Sequence, residues 1–224
     1  MDNIKTIVVN RSAYANNDLE ADLLRDYLFD HRTFLINVMS SPGAGKTTTL
    51  IKLINSLKDT FKIGVMEADI DSNVDALNVA KETGVKSIQL HTSGMCHLDA
   101  GMTKTGLDEI GANDLDLVFL ENVGNLVCPA EFDTGATMDM VILSIPEGDD
   151  KPLKYPLIFQ KCDLVLINKI DTKPYFDVDF EKCNDMIHYR NPNATIINIS
   201  ALTGENINLV KDYLVKRIKE WGGK

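Results

Sequence analysis

Short runs of β-branched and other apolar residues alternate along the chain with stretches in which apolar residues recur every three or four positions. The uninterrupted runs predict strands buried on both faces, and the three-to-four spacing predicts helices. The predicted strands are 34–39, 62–67, 87–90, 115–121, 140–145, 164–168 and 195–199. The predicted helices are 18–30, 46–59, 73–83, 98–111, 151–161, 177–189 and 204–221. This alternation predicts a doubly wound α/β fold, with a mostly parallel sheet of about seven strands and helices on both faces.

Residues 1–32 lie outside the alternating pattern and are predicted to form an N-terminal helical extension to the domain 33–224. The helix 18–30 is acidic and amphipathic, and we expect it to pack against the domain rather than to act as a docking element. In doubly wound sheets, ligands bind at the carboxyl ends of the strands. The residues that follow each strand are therefore the candidates for chemistry.

The segment after the first predicted strand reads SSPGAGKT (40–47) and runs into a helix. It matches the phosphate-binding pattern GxxxxGK[ST] except that Ser40 replaces the first glycine. Lys46 should reach the β- and γ-phosphates, and the Thr47 hydroxyl should bind Mg²⁺. Thr48 is counted as a contact, although an ordinary helix position is its plainer interpretation. The expected nucleotide contacts here are Gly43, Ala44, Gly45, Lys46, Thr47 and Thr48.

A second motif, Asn168-Lys169-Ile170-Asp171, ends the strand 164–168 and has the form NKxD. The Asp171 carboxylate can accept hydrogen bonds from the guanine N1–H and N2–H₂ edge, whereas adenine would leave it unpaired at a cost of roughly 1–3 kcal/mol. Asn168 would tie this loop to the phosphate loop, and the Lys169 stem would cover the base. A second guanine contact is expected at Ser200, Ala201 and Leu202. The two motifs predict a GTPase domain over 33–224.

Acidic residues at strand ends supply candidates for Mg²⁺ and for catalysis, because Mg²⁺ prefers oxygen ligands. Glu121 ends one apolar strand and Asp69 follows another. Asp71 and Asp75 are nearby alternatives. The predicted magnesium ligands are Thr47, Asp69 and Glu121, and the predicted catalytic residues are Lys46, Asp69 and Glu121.

The composition narrows the classes of partner. The chain has 224 residues and a formal net charge of −10, which argues against nonspecific binding to nucleic acid or to an anionic membrane surface. The apolar runs are far shorter than the ~20 residues that a membrane span requires. The N-terminus lacks the pattern of a signal peptide. We therefore expect a cytoplasmic protein with no membrane or nucleic-acid partner.

The four cysteines form no CxxC pair, and in a reducing compartment we expect them to be mostly thiols. Cys162 and Cys183 have apolar neighbours and are predicted packing residues. Cys96-His97 and Cys128 follow two different strands at one sheet edge, where two thiolates and an imidazole suit Zn²⁺ or Ni²⁺. Three ligands suggest an exchangeable site, or one completed by a second subunit. Taken alone, the pattern favours two buried thiols and a capping histidine.

Together these motifs resemble the HypB family, GTPases that help to load nickel into [NiFe]-hydrogenase. The resemblance is carried by SSPGAGKT (40–47), CHLDA (96–100), ENVGNLVCPA (121–130), EGDD (147–150) and NKID (168–171). It implies GTP hydrolysis to GDP with Mg²⁺, and nickel or zinc bound by Cys96, His97 and Cys128. We expect hydrolysis to be slow without a partner, because the motifs show no obvious catalytic base or arginine finger. The resemblance also implies a homodimer in the GTP state, in which Lys154 reaches guanine across the interface. A nickel-delivery partner and a hydrogenase large-subunit precursor are the implied partners.

The sequence departs from parts of this pattern. Some members carry an N-terminal cysteine-rich or histidine-rich nickel motif, whereas residues 1–33 contain no cysteine and one histidine, His31. The related urease protein UreG carries Cys-Pro-His, but Cys128-Pro129 is followed here by Ala130. Three alternatives stay open: a nickel- or zinc-binding GTPase for another metalloenzyme such as urease, a P-loop small-molecule kinase, and a metal-storage module.

Overall fold

A computed structural model describes residues 10–69, 74–92 and 94–223, and its centre is a seven-stranded sheet. The strands are β1 (Phe34–Ser40), β2 (Ile63–Asp69), β3 (Lys86–His91), β4 (Leu117–Glu121), β5 (Met138–Ser144), β6 (Leu164–Asn168) and β7 (Thr195–Asn198). All seven strands are the predicted ones, and each end lies within two residues of the prediction. The apolar runs were informative because helices cover both faces of every central strand.

The strand order is β3-β2-β4-β1-β5-β6-β7, and neighbouring strands are parallel throughout. Although β4 and β5 come much later in the chain, they flank β1. Val38 of β1 is in register with Glu121 of β4, and Ser144 of β5 is in register with Asn168 of β6. The predicted motifs therefore lie along one edge of the sheet, as the doubly wound fold requires.

The helices are α1 (Asn10–His31), α2 (Lys46–Leu57), α3 (Val74–Thr83), α4 (Ala100–Ile110), α5 (Cys128–Glu131), α6 (Lys151–Lys154), α7 (Pro156–Lys161), α8 (Phe180–Arg190) and α9 (Ile207–Trp221). The single helix predicted over 151–161 is wrong, because two short helices replace it. Tyr155, between them, has φ −127° and ψ 62°, since a proline disfavours helical backbone in the residue before it. Within the described residues, no helix is both long and apolar enough to cross a membrane.

Apolar layers cover both faces of the sheet, and alternate residues of β1 point into different layers. Ile36 and Val38 pack with Leu50 of α2, whereas Leu35 packs with Leu28 of α1. All five side chains are fully buried. Burial of β1 from both sides makes this strand a rigid support for the loop that follows it.

The N-terminal helix α1 packs against the sheet, as predicted. Ala21, Leu24 and Leu28 are buried at helical spacing. Arg25 Nη2 donates to both carboxylate oxygens of Asp133, at 2.5 and 2.7 Å. The helix is thus attached to the rest of the chain by an apolar stripe and by a bidentate ion pair.

Candidate functional site

The loop between β1 and α2 has the backbone of a phosphate-binding loop. Gly43 and Gly45 have φ values of 78° and 95°, in the left-handed region that glycine adopts without strain. Gly45 caps α2, and a Cβ at this position would lie 2.6 Å from Asn168 Nδ2. Glycine is therefore needed at position 45 for its backbone and for its lack of a side chain. The loop and the first turn of α2, including Thr48, line a pocket of about 580 Å³.

Two side chains at the start of α2 meet the carboxylate that ends β4. Lys46 Nζ donates to Ser40 Oγ at 3.1 Å and lies 4.0 Å from Glu121 Oε1. Thr47 Oγ1 donates to the same Glu121 oxygen at 3.2 Å. The Lys46 and Glu121 side chains are 10% and 6% exposed, so they interact where water screens them poorly. Ser40, which replaces the first glycine of the pattern, provides an acceptor for the lysine.

Asn168 connects three loops through one buried amide. Its Nδ2 donates to the Ala44 carbonyl of the phosphate loop at 2.9 Å. Its Oδ1 accepts from the backbone amides of Lys169 and Ala201, at 2.8 and 3.0 Å. Asn168 is 2% exposed. The phosphate loop, the NKxD loop and the loop after β7 are therefore held in one arrangement.

The NKxD loop also brings together Asp171 and Ser200, which are far apart in the chain. Ser200 Oγ donates to Asp171 Oδ1 at 2.5 Å, which orients the carboxylate. Lys169 has φ 64°, and its Nζ donates to the Gly43 carbonyl at 2.7 Å, so its stem crosses toward the phosphate loop. Leu202, by contrast, is 75% exposed.

Lys154 lies apart from these residues. Its Nζ forms an ion pair with Asp150 at 2.6 Å, and its side chain is 61% exposed. The hydrogen bond with Asp150 raises the pKa of Lys154. In the single chain, Lys154 is therefore held on α6 by a neighbour one turn away.

Glu67 lines the same pocket as Lys46 and Glu121, and it was not among the residues predicted from the sequence. It is 3% exposed and is in register with Glu121 on the neighbouring strand. An acidic residue inside an apolar strand run was the available signal. Asp69 ends β2, but its side chain, all of Asp71 and the side chain of Asp75 lie outside the described residues.

The structure joins Cys96 and Cys128, whose Cα atoms are 6.0 Å apart, as a disulfide. This pairing was not predicted, and it arises because loops from β3 and β4 bring the two sulfurs into contact. Cys162 and Cys183 are free and buried, as predicted. Burial raises the pKa of Cys162 to about 12 and that of Cys183 to about 11.

His97 is adjacent to this pair but faces Phe132. The two rings stack with centroids 3.6 Å apart and an angle of 9° between planes. Burial lowers the pKa of His97, and its Nδ1 is buried with no hydrogen-bond partner among the described residues. Among all the described residues, no three His, Cys, Asp or Glu side chains are arranged to hold a metal ion. Within the described residues, the two sulfurs therefore meet without completing a three-ligand site.

The segment 122–128 runs from the nucleotide pocket to the cysteine pair. Gly124 packs on the phosphate loop, where an added Cβ would lie 3.3 Å from Pro42 Cγ. Asn125 Nδ2 donates to Cys128 Sγ at 3.4 Å. One short segment thus touches both the phosphate loop and a sulfur.

Comparison with known proteins gives consistent matches. A family model described as the CobW/HypB/UreG nucleotide-binding domain matches residues 34–198. The chain is 39% identical over 203 residues to the hydrogenase maturation factor HypB of Rhizobium leguminosarum bv. viciae, which covers 91% of this chain and 68% of that protein. It is 38% identical to the hydrogenase/urease maturation factor HypB of Helicobacter hepaticus, over 96% of this chain and 89% of that protein. It spans only 57% and 61% of the length of two further HypB relatives, from Azotobacter chroococcum and Escherichia coli.

A solved structure extends this similarity to the fold. The crystal structure of HypB from Helicobacter pylori in complex with nickel is 37% identical to this chain. The two superpose with a TM-score of 0.85, covering 92% of this chain and 96% of the other. The similarity therefore includes both the sequence and the arrangement of nearly every described element.

Proposed function

The chain belongs to the CobW/HypB/UreG family of nucleotide-binding proteins, and on that premise we propose that it is a GTP-hydrolysing metallochaperone that supplies nickel during maturation of [NiFe]-hydrogenase. The observation that carries the proposal is the segment 122–128, which begins beside Glu121 in the nucleotide pocket and ends at Cys128. A change at the γ-phosphate can reach a sulfur ligand through seven residues of one strand–loop unit.

The nucleotide half of the proposal assigns roles to Lys46, Thr47 and Glu121. Lys46 binds the β- and γ-phosphates as a point charge. Thr47 and Glu121 present oxygen atoms 3.2 Å apart at the pocket, and oxygen is the ligand that Mg²⁺ prefers, so these residues fit the ion. When bound with GTP, the ion would offset phosphate charge. Glu121 also orients the attacking water, with Asp69 as the second candidate.

Within the nucleotide half of the proposal, guanine selection is assigned to Asp171, which is oriented by the Ser200 hydroxyl. Asp171→Asn replaces an acceptor pair with one acceptor and one donor, so the variant should prefer xanthosine nucleotides over GTP. Competition of GDP and xanthosine diphosphate for the same protein measures this preference. Wild-type GTP affinity in the variant would remove Asp171 from the guanine contact.

The metal half of the proposal assigns the cargo to Cys96, His97 and Cys128 in their reduced form. Two thiolates and an imidazole suit Ni²⁺ and Zn²⁺. A homodimer formed in the GTP state would gather these side chains from two chains, which is how the shell would be filled. In that dimer Lys154 would exchange its bond with Asp150 for a guanine contact across the interface. A nickel-delivery protein and the hydrogenase large-subunit precursor would be donor and acceptor.

The test is a nickel titration of reduced protein, performed once with a nonhydrolysable GTP analogue and once with GDP. We expect wild type to show different nickel affinities in the two states, and Cys128→Ala to lose most binding in both. Cys183→Ala is the matched control, because Cys183 is a buried free thiol away from the pair. Equal affinities with both nucleotides in wild type would refute the chaperone reading and support a storage module. Zn²⁺ in parallel titrations distinguishes the metals.

Two alternative functions are separated by product analysis. Urease is a second acceptor candidate, since a relative from Helicobacter hepaticus is described as a hydrogenase/urease maturation factor. Transfer of ⁶³Ni to apo-urease and to the hydrogenase precursor compares them directly. A small-molecule kinase would instead release no phosphate from GTP without an acceptor. Phosphate release that is slow but measurable in the absence of any acceptor supports the GTPase.

A further inference from the structure

Three polar side chains form a hydrogen-bonded row from the residue after β4, through β1, to β5, and we call this row the amide relay (Asn122, Asn37 and Asp139). Asn122 Nδ2 donates to Asn37 Oδ1 at 3.0 Å, and Asn37 Nδ2 donates to Asp139 Oδ1 at 2.8 Å. Asn122 and Asn37 are 0% and 2% exposed. Asn37 and Asp139 occupy the same register position on neighbouring strands. A buried amide is costly unless it is hydrogen bonded, so each member depends on the next.

The carboxylate gives the amide relay a direction. An ionised carboxylate only accepts hydrogen bonds, so the Asn37 side chain must turn its NH₂ group toward Asp139 and its oxygen toward Asn122. Asn122 must then turn its own NH₂ group toward Asn37. Its Oδ1 is left to accept from the backbone amide of Val123, at 2.9 Å. The orientation of one peptide group is therefore set from two strands away.

That peptide group lies at the root of the segment 122–128. The backbone N–H of Asn122 also donates to the Val38 carbonyl at 3.0 Å, which attaches the end of β4 to β1. Asn122, Val123 and Gly124 all line the nucleotide pocket. The amide relay thus acts on the part of the segment that faces the nucleotide.

The other end of the relay is enclosed by charged residues. Asp139 borders a pocket of about 250 Å³ together with Arg25, Asp133 and Lys161. Burial raises the pKa of Asp139 to about 6. At about pH 7.5 the carboxylate is therefore still mostly ionised and acceptor-only.

We propose that Asn37 is a positioning residue that, through Asn122, holds the Val123 peptide so that the segment 122–128 can transmit the state of the nucleotide to the cysteine pair. The transmission rests on the proposed function. The holding of the peptide does not, and it is measured separately. Nickel and nucleotide do not contact Asn37 in this scheme.

Two variants test the direction of the hydrogen bonds. Asn37→Leu removes both hydrogen bonds of the Asn37 amide and leaves Asn122 Nδ2 without its acceptor, so the relay breaks. Asn37→Asp combined with Asp139→Asn restores one acceptor at position 37 and one donor at position 139. In the GDP-bound protein at about pH 7.5, amide hydrogen exchange over 122–128 should accelerate roughly tenfold in the single variant, as expected for loss of one net hydrogen bond. It should return to within about threefold of wild type in the double variant.

Thr33→Val is the matched control, because the buried Thr33 hydroxyl donates to the Ala112 carbonyl at 2.9 Å near the opposite end of β1. It should lower stability without changing exchange over 122–128. Unchanged exchange in a folded Asn37→Leu protein, or accelerated exchange in a folded double variant, overturns the proposal. If the single variant does not fold, the double variant alone decides, since wild-type exchange supports the relay and faster exchange refutes it.

Nickel titration adds the functional readout. The ratio of nickel affinities with the GTP analogue and with GDP should fall toward one in Asn37→Leu and recover in the double variant. If wild type itself shows no such ratio, the proposed function fails, and hydrogen exchange still decides whether Asn37 positions the segment.

Discussion

Replacing Asn168 with alanine should weaken nucleotide binding more than any other single change in the NKxD loop. The substitution leaves the Ala44 carbonyl and the Ala201 amide without the partners that they have at 2.9 and 3.0 Å. Both residues are at most 2% exposed, and each unsatisfied buried group costs roughly 1–3 kcal/mol. The expected loss of stability is therefore about 2–6 kcal/mol, a large part of the stability of an ordinary domain.

The same change should weaken GDP binding roughly a hundredfold, because the phosphate loop and the NKxD loop must then be ordered at the moment of binding. Urea unfolding measures the first effect, and titration with a fluorescent GDP analogue measures the second. Asn191→Ala is the control, since Asn191 Nδ2 donates to the buried Cys162 carbonyl at 2.7 Å near the opposite edge of the sheet. It should cost stability without affecting GDP. If Asn168→Ala binds GDP within about threefold of wild type, while its urea midpoint falls as in the control, Asn168 is only a structural residue.

Three further changes have defined outcomes. Gly45→Ala should lower the free energy of unfolding by about 1–2 kcal/mol for its left-handed backbone, and by more for the contact with Asn168 Nδ2. The loss measured by urea unfolding should therefore be smaller in an Asn168→Ala background, and additive losses in the double mutant would contradict the contact. Cys162 and Cys183 should resist iodoacetamide in the folded protein, because burial raises the pKa of each thiol to about 12 and about 11; labelling of either one as fast as in urea would contradict this. Burial raises the pKa of Asp139 from 3.8 to about 6, so the folded state binds this proton more tightly, and the free energy of unfolding falls by up to ~3 kcal/mol as pH rises between those values. Asp139→Asn should remove this pH dependence from urea midpoints measured over a series of pH values. Parallel pH curves for the two proteins would show that the carboxylate is not buried enough to matter.

Local sequence was sufficient wherever the chemistry is contained in one strand and the turn after it. Gly43 and Gly45 have positive φ values that favour glycine, so the phosphate loop could be identified from its sequence motif alone. The central strands were equally predictable, because each is an apolar run buried from both faces, whereas the edge strands β3 and β7 are only partly buried. The break in the predicted helix at Tyr155 could also have been predicted, because Pro156 disfavours helical backbone in the residue before it.

Contacts between strands that are distant in the chain could not be predicted from local sequence in this way. Glu67 looked like one acidic residue in an apolar run until the register placed it beside Glu121. In the sequence, Asn37 is a single polar residue within β1, and its partners Asn122 and Asp139 come from the end of β4 and from β5. Neither strand is adjacent to β1 in the chain.

The amino-acid sequence by itself determined the elements, the phosphate loop, the NKxD loop and the membership of the CobW/HypB/UreG family, because each depends on motifs whose residues are close together in the chain. Only the tertiary structure decided which side chains meet: Lys46 with Glu121, Ser200 with Asp171, Cys96 with Cys128, and His97 with Phe132 rather than with the sulfurs. The physical reason is the strand order. Inserting β4 between β2 and β1 brings together loops that are separated by tens of residues, and no periodicity within a single segment encodes that insertion.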